Sequence, residues 1–393
     1  MTVFNLRCGV QHYAWGSPTL MARQFGWPVT GEPMAELWVG DHPLLPSSVS
    51  VDGHWRSLPD VIGFDPLGWL GEAVVADYGA RLPMLLKVLG IGEPLSLQAH
   101  PSTAQAIAGS AREDALGIDR GAPNRSYRDD RAKPEMICAL INMEVLCGFR
   151  DLAESEELLR AVGGPLLPFA EQLRSSEDLP GIVGRLLSLD RAGQYRVVAA
   201  ITDARASLPW PVAAIVGQIA DRYPDDAGVA VALLLNAISL EPGDALYLPA
   251  GNLHAYLSGL GVEVMASSDN VLRGGLTPKH VDVPELVQTL VPITGPWPMT
   301  VAAVDPAHPG VEFFRSPSPE VGLARIAVRG HAVHVPTSEG PTLLLATEGT
   351  ARVESAGTEL SFSAGQAAYG LPSSSISISG EGVVWVSQLW TAP

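Results

Sequence analysis

The sequence predicts a mainly β protein with an α-helical insert, and three observations predict it. Residues 1–150 contain short, β-rich apolar runs that glycine and proline separate. Residues 151–225 instead repeat leucine and valine at helical spacing. From residue 300 to 393, almost every segment has the composition of a short strand bounded by glycine, serine or proline. This last pattern is typical of a small β-sandwich or barrel.

Individual elements follow from these patterns. Asp151 is predicted to cap the first helix of the insert, where Leu152, Leu158 and Val162 recur behind acidic residues. Further helices are predicted at 179–189 and 212–222. The strands are predicted at 83–89, 95–99 and 136–141, in the region from about 237 to 295, and at 342–346, 351–354, 376–379 and 383–386.

The chain is acidic: its 393 residues include 42 aspartates and glutamates against 25 lysines and arginines, a net charge of −17. This balance argues against binding to nucleic acid and to anionic membrane surfaces, because both need a basic face. Only three of the basic residues are lysines, namely Lys87, Lys133 and Lys279. A small anion would bind such a chain only where its few cations are concentrated.

Targeting and redox signals are absent from the sequence. No apolar run reaches the ~20 residues of a membrane span, and the N-terminus lacks an apolar signal core. The three cysteines, Cys8, Cys138 and Cys147, are too few for a disulfide framework and form no C-x-x-C pair. We therefore expect a soluble, cytoplasmic protein, and we also expect a monomer.

A polar stripe lies in the segment LSLQAHP at 95–101. Side chains alternate between the faces of a strand, so Ser96, Gln98 and His100 would point the same way. Burying such a stripe is costly unless something satisfies it, and a divalent metal bound by imidazole nitrogen and amide oxygen would do so. A hydrogen-bonded pair on a solvent-facing strand explains this segment equally well.

A second pattern, PGDALYLPAGNLHAY at 242–256, combines two tight turns with a strand and delivers His254. It matches the second cupin motif, G-x5-P-x-G-x2-H, at Gly243, Pro249, Gly251 and His254. In a cupin barrel this histidine points inward as a metal ligand. The string could be accidental in a chain rich in glycine and proline, but its occurrence together with the LSLQAHP stripe makes coincidence a poor explanation.

A third pattern, KPEMICAL at 133–140, puts Glu135 at the start of an apolar strand and on one face with Lys133. The two residues form either a surface ion pair of little energetic value, or a metal ligand with a lysine beside it in a cavity. In the second case Gln98, His100, Glu135 and His254 would be four ligands of mixed nitrogen and oxygen type. That set suits Zn²⁺, with Mn²⁺ or Co²⁺ also compatible.

The fourth pattern, GVEVMASSDNVLRGGLTPKH at 261–280, carries an acid on a strand and cations on a loop. Glu263 lies on the apolar strand, and Arg273 precedes two glycines where the backbone can turn closely around a ligand. Arg273 and Lys279 could bind a phosphate, the arginine through its planar fork and the lysine as a point charge. Alternatively, both are solvated charges on a glycine-rich loop.

The other histidines carry weaker signals. His42 lies between Gly-Asp and a proline and is predicted to be a turn residue. His331 and His334 have no carboxylate or cysteine at ligand spacing, so we interpret both as structural.

Together these motifs resemble those of the type I mannose-6-phosphate isomerase family, and they occur in the family's order. The resemblance covers about residues 7–150 and 237–285. The helical insert (151–225) and the C-terminal tail (300–393) match only in architecture. The strings that carry it are QHYAWGSPTL, AELWVGDHP, LPMLLKVLGIGEPLSLQAHPS, NRSYRDDRAKPEMICAL, LEPGDALYLPAGNLHAYLSG and GVEVMASSDNVLRGGLTPKHVDV.

The resemblance implies a zinc-dependent aldose–ketose isomerase that interconverts mannose 6-phosphate and fructose 6-phosphate, with one Zn²⁺ per chain and a small sugar phosphate as its partner. It places the zinc ligands on Gln98, His100, Glu135 and His254, and the active-site arginine on Arg273. The further substrate-pocket positions it implies are Trp15, Lys87, Ser96, Lys133, Tyr256, Glu263 and Lys279.

The resemblance also implies cupin (jelly-roll) barrels, one that binds metal and one that is degenerate. Residues 1–150 and 226–300 would be the two parts of the metal-binding cupin domain, and residues 151–225 would be the helical insert domain. Residues 301–393 would form the degenerate, cupin-like β domain at the C-terminus.

Such an isomerisation moves a proton between neighbouring carbons through an enediolate. Lys133 is our hypothesis for the base, because burial and nearby cations can depress the pKa of a lysine towards neutrality, and Glu263 is the alternative. Zn²⁺ or Arg273 could stabilise the developing oxyanion. Asp269 is a candidate for the acid or base of ring opening.

Two other functions remain open from the sequence. One is a cupin isomerase for another sugar or sugar phosphate, because Ser102-Thr103 stand where the family commonly has an acid and a lysine. The other is a non-catalytic cupin that binds a sugar phosphate, although such a protein would be expected to lack a ligand or an inner cation. A metal-dependent oxygenase is disfavoured, because that chemistry favours two histidines, one carboxylate and open positions.

Overall fold

The computed structural model describes residues 2–176 and 178–390 and is mainly β with helices, so this part of the prediction is confirmed. The described strands are β1 (Val3–Arg7), β2 (Gly9–Gln11), β3 (Glu36–Val39), β4 (Ser48–Val51), β5 (His54–Ser57), β6 (Met84–Ile91), β7 (Gln98–Ala99), β8 (Glu135–Ala139), β9 (Met143–Phe149), β10 (Leu235–Leu240), β11 (Ala245–Leu248), β12 (His254–Ala266), β13 (Leu272–Arg273), β14 (Ala303–Val304), β15 (Val311–Phe314), β16 (Leu323–Arg329), β17 (Val333–Val335), β18 (Thr342–Ser355), β19 (Thr358–Ser363), β20 (Ala367–Gly370) and β21 (Ile376–Ser387).

Helices occupy the middle of the chain and several connections. They are α1 (Leu20–Phe25), α2 (Leu58–Phe64), α3 (Pro66–Leu70), α4 (Glu72–Tyr78), α5 (Thr103–Ala115), α6 (Leu152–Val162), α7 (Leu167–Ser176), α8 (Leu179–Leu187), α9 (Arg191–Ala204), α10 (Trp210–Arg222), α11 (Gly228–Ala232) and α12 (Val283–Thr289), with short 3-10 helices at Gly164–Leu166 and Arg205–Ser207. Among the described helices, none has both the length and the apolar character needed to cross a bilayer.

Strand β12 organises the first sheet, which has ten strands. Its first residues, from His254, pair with β9 and β7, whereas its later residues pair with β6 and β8. The change of partners occurs at Gly259, where φ is +114° and a Cβ atom would lie 2.6 Å from the Asn142 carbonyl oxygen. Only glycine fits this bend, so one strand carries side chains into both halves of the sheet.

The second sheet has eleven strands and contains most of the C-terminal tail. It also contains the first strand of the chain, because β1 pairs with β20 on one side and β4 on the other. The two sheets share one apolar cluster, in which Phe4 and Leu343 from one sheet lie with Leu86 and Val262 from the other. This common core joins the tail to the sheet that carries β12.

The helical insert begins as predicted. The Asp151 side chain accepts hydrogen bonds from the backbone N–H groups of Ala153 (2.9 Å) and Glu154 (3.4 Å), and α6 follows. The apolar faces of the insert pack in one cluster with Leu97 and Leu276 from the loops and strands beside β12. The insert is therefore packed directly against the loops that carry the predicted site residues.

Two local predictions were wrong. The segment 95–99 forms only the two-residue strand β7, because Leu95 and Leu97 donate their N–H groups to Tyr256 and Gly275 outside a ladder. Residues 1–150 also contain five helices, α1 to α5, and the region from 237 to 295 contains α12. Helix α5 could have been predicted, because a serine followed three residues later by a glutamine is typical of a capping box. Ser102 and Gln105 form such a capping box at its start.

Candidate active site

A cavity of 560 Å³ opens between the first sheet, the helical insert and the loop at 273–279. Its size is typical of small-ligand sites, which span roughly 300–1,000 Å³. Eleven of the thirteen residues predicted from the sequence line it, and the other two, His100 and His254, lie directly behind Glu135. The eleven are Trp15, Lys87, Ser96, Gln98, Lys133, Glu135, Tyr256, Glu263, Asp269, Arg273 and Lys279.

His100, Glu135 and His254 form a buried cluster whose candidate ligand atoms all lie within 4.8 Å of one another. Glu135 opens β8 and His254 opens β12, and His100 directly follows β7. The Nε2 atoms of the two histidines lie 3.4 Å from the two carboxylate oxygens of Glu135. Three non-adjacent segments thus bring three ligand-type side chains together, and the cluster could hold a metal ion.

Hydrogen bonds orient both imidazoles. The Nδ1–H of His100 donates to the Asn270 carbonyl oxygen at 2.6 Å, and that of His254 donates to the Asn252 carbonyl oxygen at 3.1 Å. These hydrogen bonds turn both Nε2 atoms towards Glu135. Burial, the largest effect, lowers the pKa of His100 to about 4, which keeps that ring neutral.

In the neutral His100 ring Nδ1 carries the proton, so Nε2 is an acceptor that faces an acceptor, the carboxylate of Glu135. Both Nε2 atoms and the Oε2 atom of Glu135 are buried and have no hydrogen-bond partner. Unpaired buried acceptors are costly, and a cation among them removes that cost. The donor set fits a divalent metal such as zinc.

Gln98 lies beside this cluster. Its backbone pairs with His254 on one side and with Arg273 on the other, and its side chain lines the cavity. The predicted fourth ligand is therefore next to the triad, in the same strand pairing that brings the Arg273 loop to the cavity.

Lys133 stands between the cluster and the cavity. Its Nζ atom lies 2.8 Å from Glu135 Oε1, and the side chain is 11% exposed. Burial alone would raise the pKa of Glu135, but the charge of the Lys133 ammonium holds that pKa well below its usual range. The carboxylate is therefore ionised, as a metal ligand must be.

A second acidic group lines the cavity. Glu263 accepts a hydrogen bond from the Tyr256 hydroxyl at 3.2 Å, and its other oxygen lies 3.9 Å from Lys87 Nζ. Burial, followed by the charge of Glu135, raises the pKa of Glu263 to about 8. A carboxyl group with such a pKa can take up or release a proton near neutral pH.

Lys87 has a stronger partner that the sequence analysis missed. Its Nζ atom lies 3.2 Å from Glu36 Oε2 and 4.8 Å from the centre of the Trp38 ring. Burial opposes the charged form of Lys87, but Glu36 and then Glu263 raise its pKa above the ordinary range. The sequence did contain a signal for these partners. Glu36 and Trp38 alternate in β3, so they lie on the same face of the strand, and both line the cavity.

One end of the cavity is cationic. Arg273, Lys279 and Arg128 all line it, and within the described ranges none of these side chains has an acidic partner. Burial and then Arg128 lower the pKa of Arg273, and burial, Arg273 and Arg128 lower the pKa of Lys279. Arg128 was missed by the sequence analysis because it lies in a loop with mixed charges. Three cations without acids form a site for an anion.

Asp269 lies in the cavity and is held by His42. The Nε2 atom of His42 is 3.3 Å from Asp269 Oδ1, and its Nδ1 atom accepts a hydrogen bond from the Leu44 N–H. Burial opposes ionisation of Asp269, but the hydrogen bond from His42 lowers its pKa. His42 does lie in a loop, as predicted, but it is buried and lines the cavity.

Trp15, Ser102 and Thr103 are three further residues that the sequence singles out. Trp15 lies at the cavity and stacks on Tyr13, with 6.0 Å between the ring centres. Ser102 and Thr103, where the chain departs from the family's usual residues, begin α5 and do not line the cavity.

Known proteins with related sequences and structures support the resemblance. The family described as phosphomannose isomerase type I, catalytic domain, matches residues 3–152. The mannose-6-phosphate isomerase of Escherichia coli is 41% identical over 285 residues, which cover 71% of this chain and 72% of that protein. That of Emericella nidulans is 32% identical and covers 89% of this chain and 87% of its own length.

Solved structures of mannose 6-phosphate isomerases superimpose on nearly the whole of this chain. A zinc-bound mannose 6-phosphate isomerase superimposes with a TM-score of 0.92 at 33% identity, covering 99% of this chain and 100% of the other. The Salmonella typhimurium enzyme, bound to fructose 6-phosphate and zinc, gives a TM-score of 0.91 at the same identity and coverage. Identity at this level over most of both chains means that the chain belongs to the type I mannose-6-phosphate isomerase family, as its motifs predict.

Proposed function

We propose that this protein interconverts mannose 6-phosphate and fructose 6-phosphate in a zinc-dependent reaction that passes through an enediolate. The observation that carries the proposal is one cavity with a buried His100–Glu135–His254 cluster on one wall and unpaired cations at one end. The relatives named above are mannose-6-phosphate isomerases. An aldose–ketose isomerase needs charge stabilisation near the carbonyl and a site for the phosphate, and this cavity offers both.

Zinc would be held by Gln98, His100, Glu135 and His254. The two unpaired imidazole Nε2 atoms and the unpaired carboxylate oxygen are of ligand types that zinc prefers, and the Gln98 amide lies beside them. When bound there, zinc supplies a Lewis acid that stabilises negative charge on substrate oxygens. The relatives with solved structures are zinc-bound, which supports one zinc ion per chain here.

The phosphate would bind at the cationic end. Arg273, Arg128 and Lys279 have no acidic partner among the described residues, so a dianion there would gain charge-assisted hydrogen bonds without displacing an ion pair. This orientation directs the sugar towards Lys133, Tyr256 and the zinc ligands.

Proton transfer requires one base that can serve two neighbouring carbons. We propose Lys133 for this role, because it is nearly buried and lies between Glu135 and the cavity. Glu263 is the alternative, since its pKa of about 8 lies near neutrality. Asp269, held by His42, is the candidate for proton transfer in ring opening.

We also propose the finer architecture predicted above. The metal-binding unit would be a cupin jelly roll formed by residues 1–150 and 226–300, with 151–225 as its helical insert and 301–393 as a degenerate cupin-like unit. Strand β12, which pairs in both halves of the first sheet, supports a jelly roll. The pairing of β1, β4 and β5 in the tail's sheet adds N-terminal strands to the second unit.

A coupled isomerase assay on mannose 6-phosphate, run together with metal analysis, tests the proposal. Wild-type protein should turn over the substrate and contain about one zinc ion per chain. His100→Ala should lose both properties, whereas His334→Ala, at an exposed histidine of β17, should keep both. Full activity of metal-free protein, or no activity of zinc-loaded wild type, would refute the proposed function.

A further inference from the structure

The loop between Arg273 and Lys279 has an unfavourable backbone conformation. Leu276 has a φ of +56°, in the left-handed region that branched, bulky residues seldom adopt. Its side chain is 1% exposed and packs in the apolar cluster of the helical insert. A strained residue of this kind persists only where its surroundings impose it.

Asp226, directly after the helical insert, supplies a constraint at this point. Its Oδ2 atom accepts a hydrogen bond from the Thr277 N–H at 3.0 Å, directly after the strained residue. Its Oδ1 atom accepts one from the Gly228 N–H at 2.7 Å, at the start of α11. One carboxylate thus joins the backbone at the start of α11 to the backbone of the loop.

The two backbones also touch. A Cβ atom on Gly275 would lie 2.8 Å from the Cα atom of Gly228 and 2.8 Å from Asp226 Oδ1. Such an approach is open only to glycine. The close approach and the hydrogen bonds of Asp226 are two independent features that fix the loop against the start of α11.

We propose that Asp226 is a positioning residue that holds the 273–279 loop in the conformation that presents Arg273 and Lys279 to the substrate phosphate. The inference rests on the proposed function, because it takes these cations as the phosphate site. Asp226 itself does not line the cavity. Asp226, the first residue after the helical insert, therefore acts on substrate affinity through its carboxylate.

Steady-state kinetics of Asp226→Asn tests this inference. Asparagine has one acceptor oxygen and can satisfy only one of the two N–H groups. We expect KM for mannose 6-phosphate to rise roughly three- to tenfold, the value of one hydrogen bond, with kcat and zinc content unchanged. The control is Asp225→Asn, which removes an exposed ion pair with Arg191 and should leave KM unchanged.

Amide hydrogen exchange of the free proteins gives a readout that is independent of turnover. Peptides that span 273–279 should exchange faster in Asp226→Asn than in wild type, and equally in Asp225→Asn and wild type. Unchanged KM and unchanged exchange in an active, folded Asp226→Asn protein would overturn the inference and leave the proposed function intact. Inactive zinc-loaded wild type would overturn the proposed function, and the phosphate-positioning role with it, even if the exchange result held.

Discussion

The Nε2 atom of His254 lies 3.4 Å from the Oε2 atom of Glu135, and neither atom has a hydrogen-bond partner. The Nδ1–H of His254 donates to the Asn252 backbone carbonyl, which turns Nε2 towards the carboxylate. His100 faces the other carboxylate oxygen in the same way. This arrangement is unfavourable for a buried site by itself and favourable around a cation.

Zinc should therefore stabilise the folded protein. At free zinc about 100-fold above its Kd, the free energy of unfolding should increase by about 2.7 kcal/mol. Thermal unfolding of chelated and zinc-reloaded protein measures the shift. In His254→Ala the shift should disappear, whereas His334→Ala should retain it, and an equal midpoint for chelated and reloaded wild type would contradict the metal site.

Replacing the proposed base separates its role from that of Glu263. Lys133→Met should slow both turnover and solvent proton exchange at the carbon beside the carbonyl by about 100- to 10,000-fold. The same measurements on Glu263→Gln form the comparison. Zinc content is determined for both variants, because Lys133 contacts the proposed zinc ligand Glu135 and its loss could reduce zinc binding. Near-normal exchange in zinc-loaded Lys133→Met would rule out lysine as the base, and a selective loss in Glu263→Gln would transfer the role to Glu263.

Replacing Arg273 by lysine should weaken substrate binding even though the positive charge is kept. Arg273→Lys keeps the charge but loses the planar fork that binds phosphate oxygens in pairs. We expect KM for mannose 6-phosphate to rise at least about tenfold. Arg329→Lys, at an exposed arginine at the end of β16, is the matched control. Equal use of unphosphorylated mannose by wild type would count against a phosphate site.

The stability of the metal-free protein should depend on the ionisation of Glu263. Its pKa is raised to about 8 in the folded chain, against about 4.3 when unfolded. The native state therefore binds the proton more tightly, and the stability that this proton contributes is lost as pH rises from about 4 to about 8. Glu263→Gln should gain stability relative to wild type over that interval.

Urea unfolding of the chelated proteins at about pH 5 and about pH 8 measures this difference. Glu339→Gln, at an exposed glutamate, should show the same pH dependence as wild type. A constant difference between Glu263→Gln and wild type at the two pH values would show that Glu263 does not titrate in this range.

The bend in β12 should tolerate only glycine. In Gly259→Ala, the φ of +114° costs roughly 1–3 kcal/mol, and the added Cβ atom also meets the Asn142 carbonyl oxygen at 2.6 Å. Gly53→Ala is the control, because φ is +77° there but nothing lies within 4 Å of the added atom. Chemical denaturation should show a larger loss for Gly259→Ala, and equal losses would mean that the contact with Asn142 relaxes freely.

Much of the site could be predicted from the sequence because its donors lie in short local patterns. The turn-strand-turn segment that ends in His254 and the Gln98-x-His100 stripe need only neighbouring residues to be recognised. The three lysines, rare in this chain, all line the cavity. Arg128 and His42 were missed because their neighbours in sequence give no sign of the partners they meet, whereas Glu36 was missed although its alternation with Trp38 is visible in the sequence.

The sequence by itself determined the residue types of the site and the division into β-rich and helical regions, since both follow from local spacing. The tertiary structure alone decided that β1 pairs in the tail's sheet, that His42 holds Asp269, and that Asp226 fixes the loop between Arg273 and Lys279. These contacts join segments far apart in the chain. Local propensity does not encode them, because packing and unpaired hydrogen-bonding groups select the partner only once the core has formed.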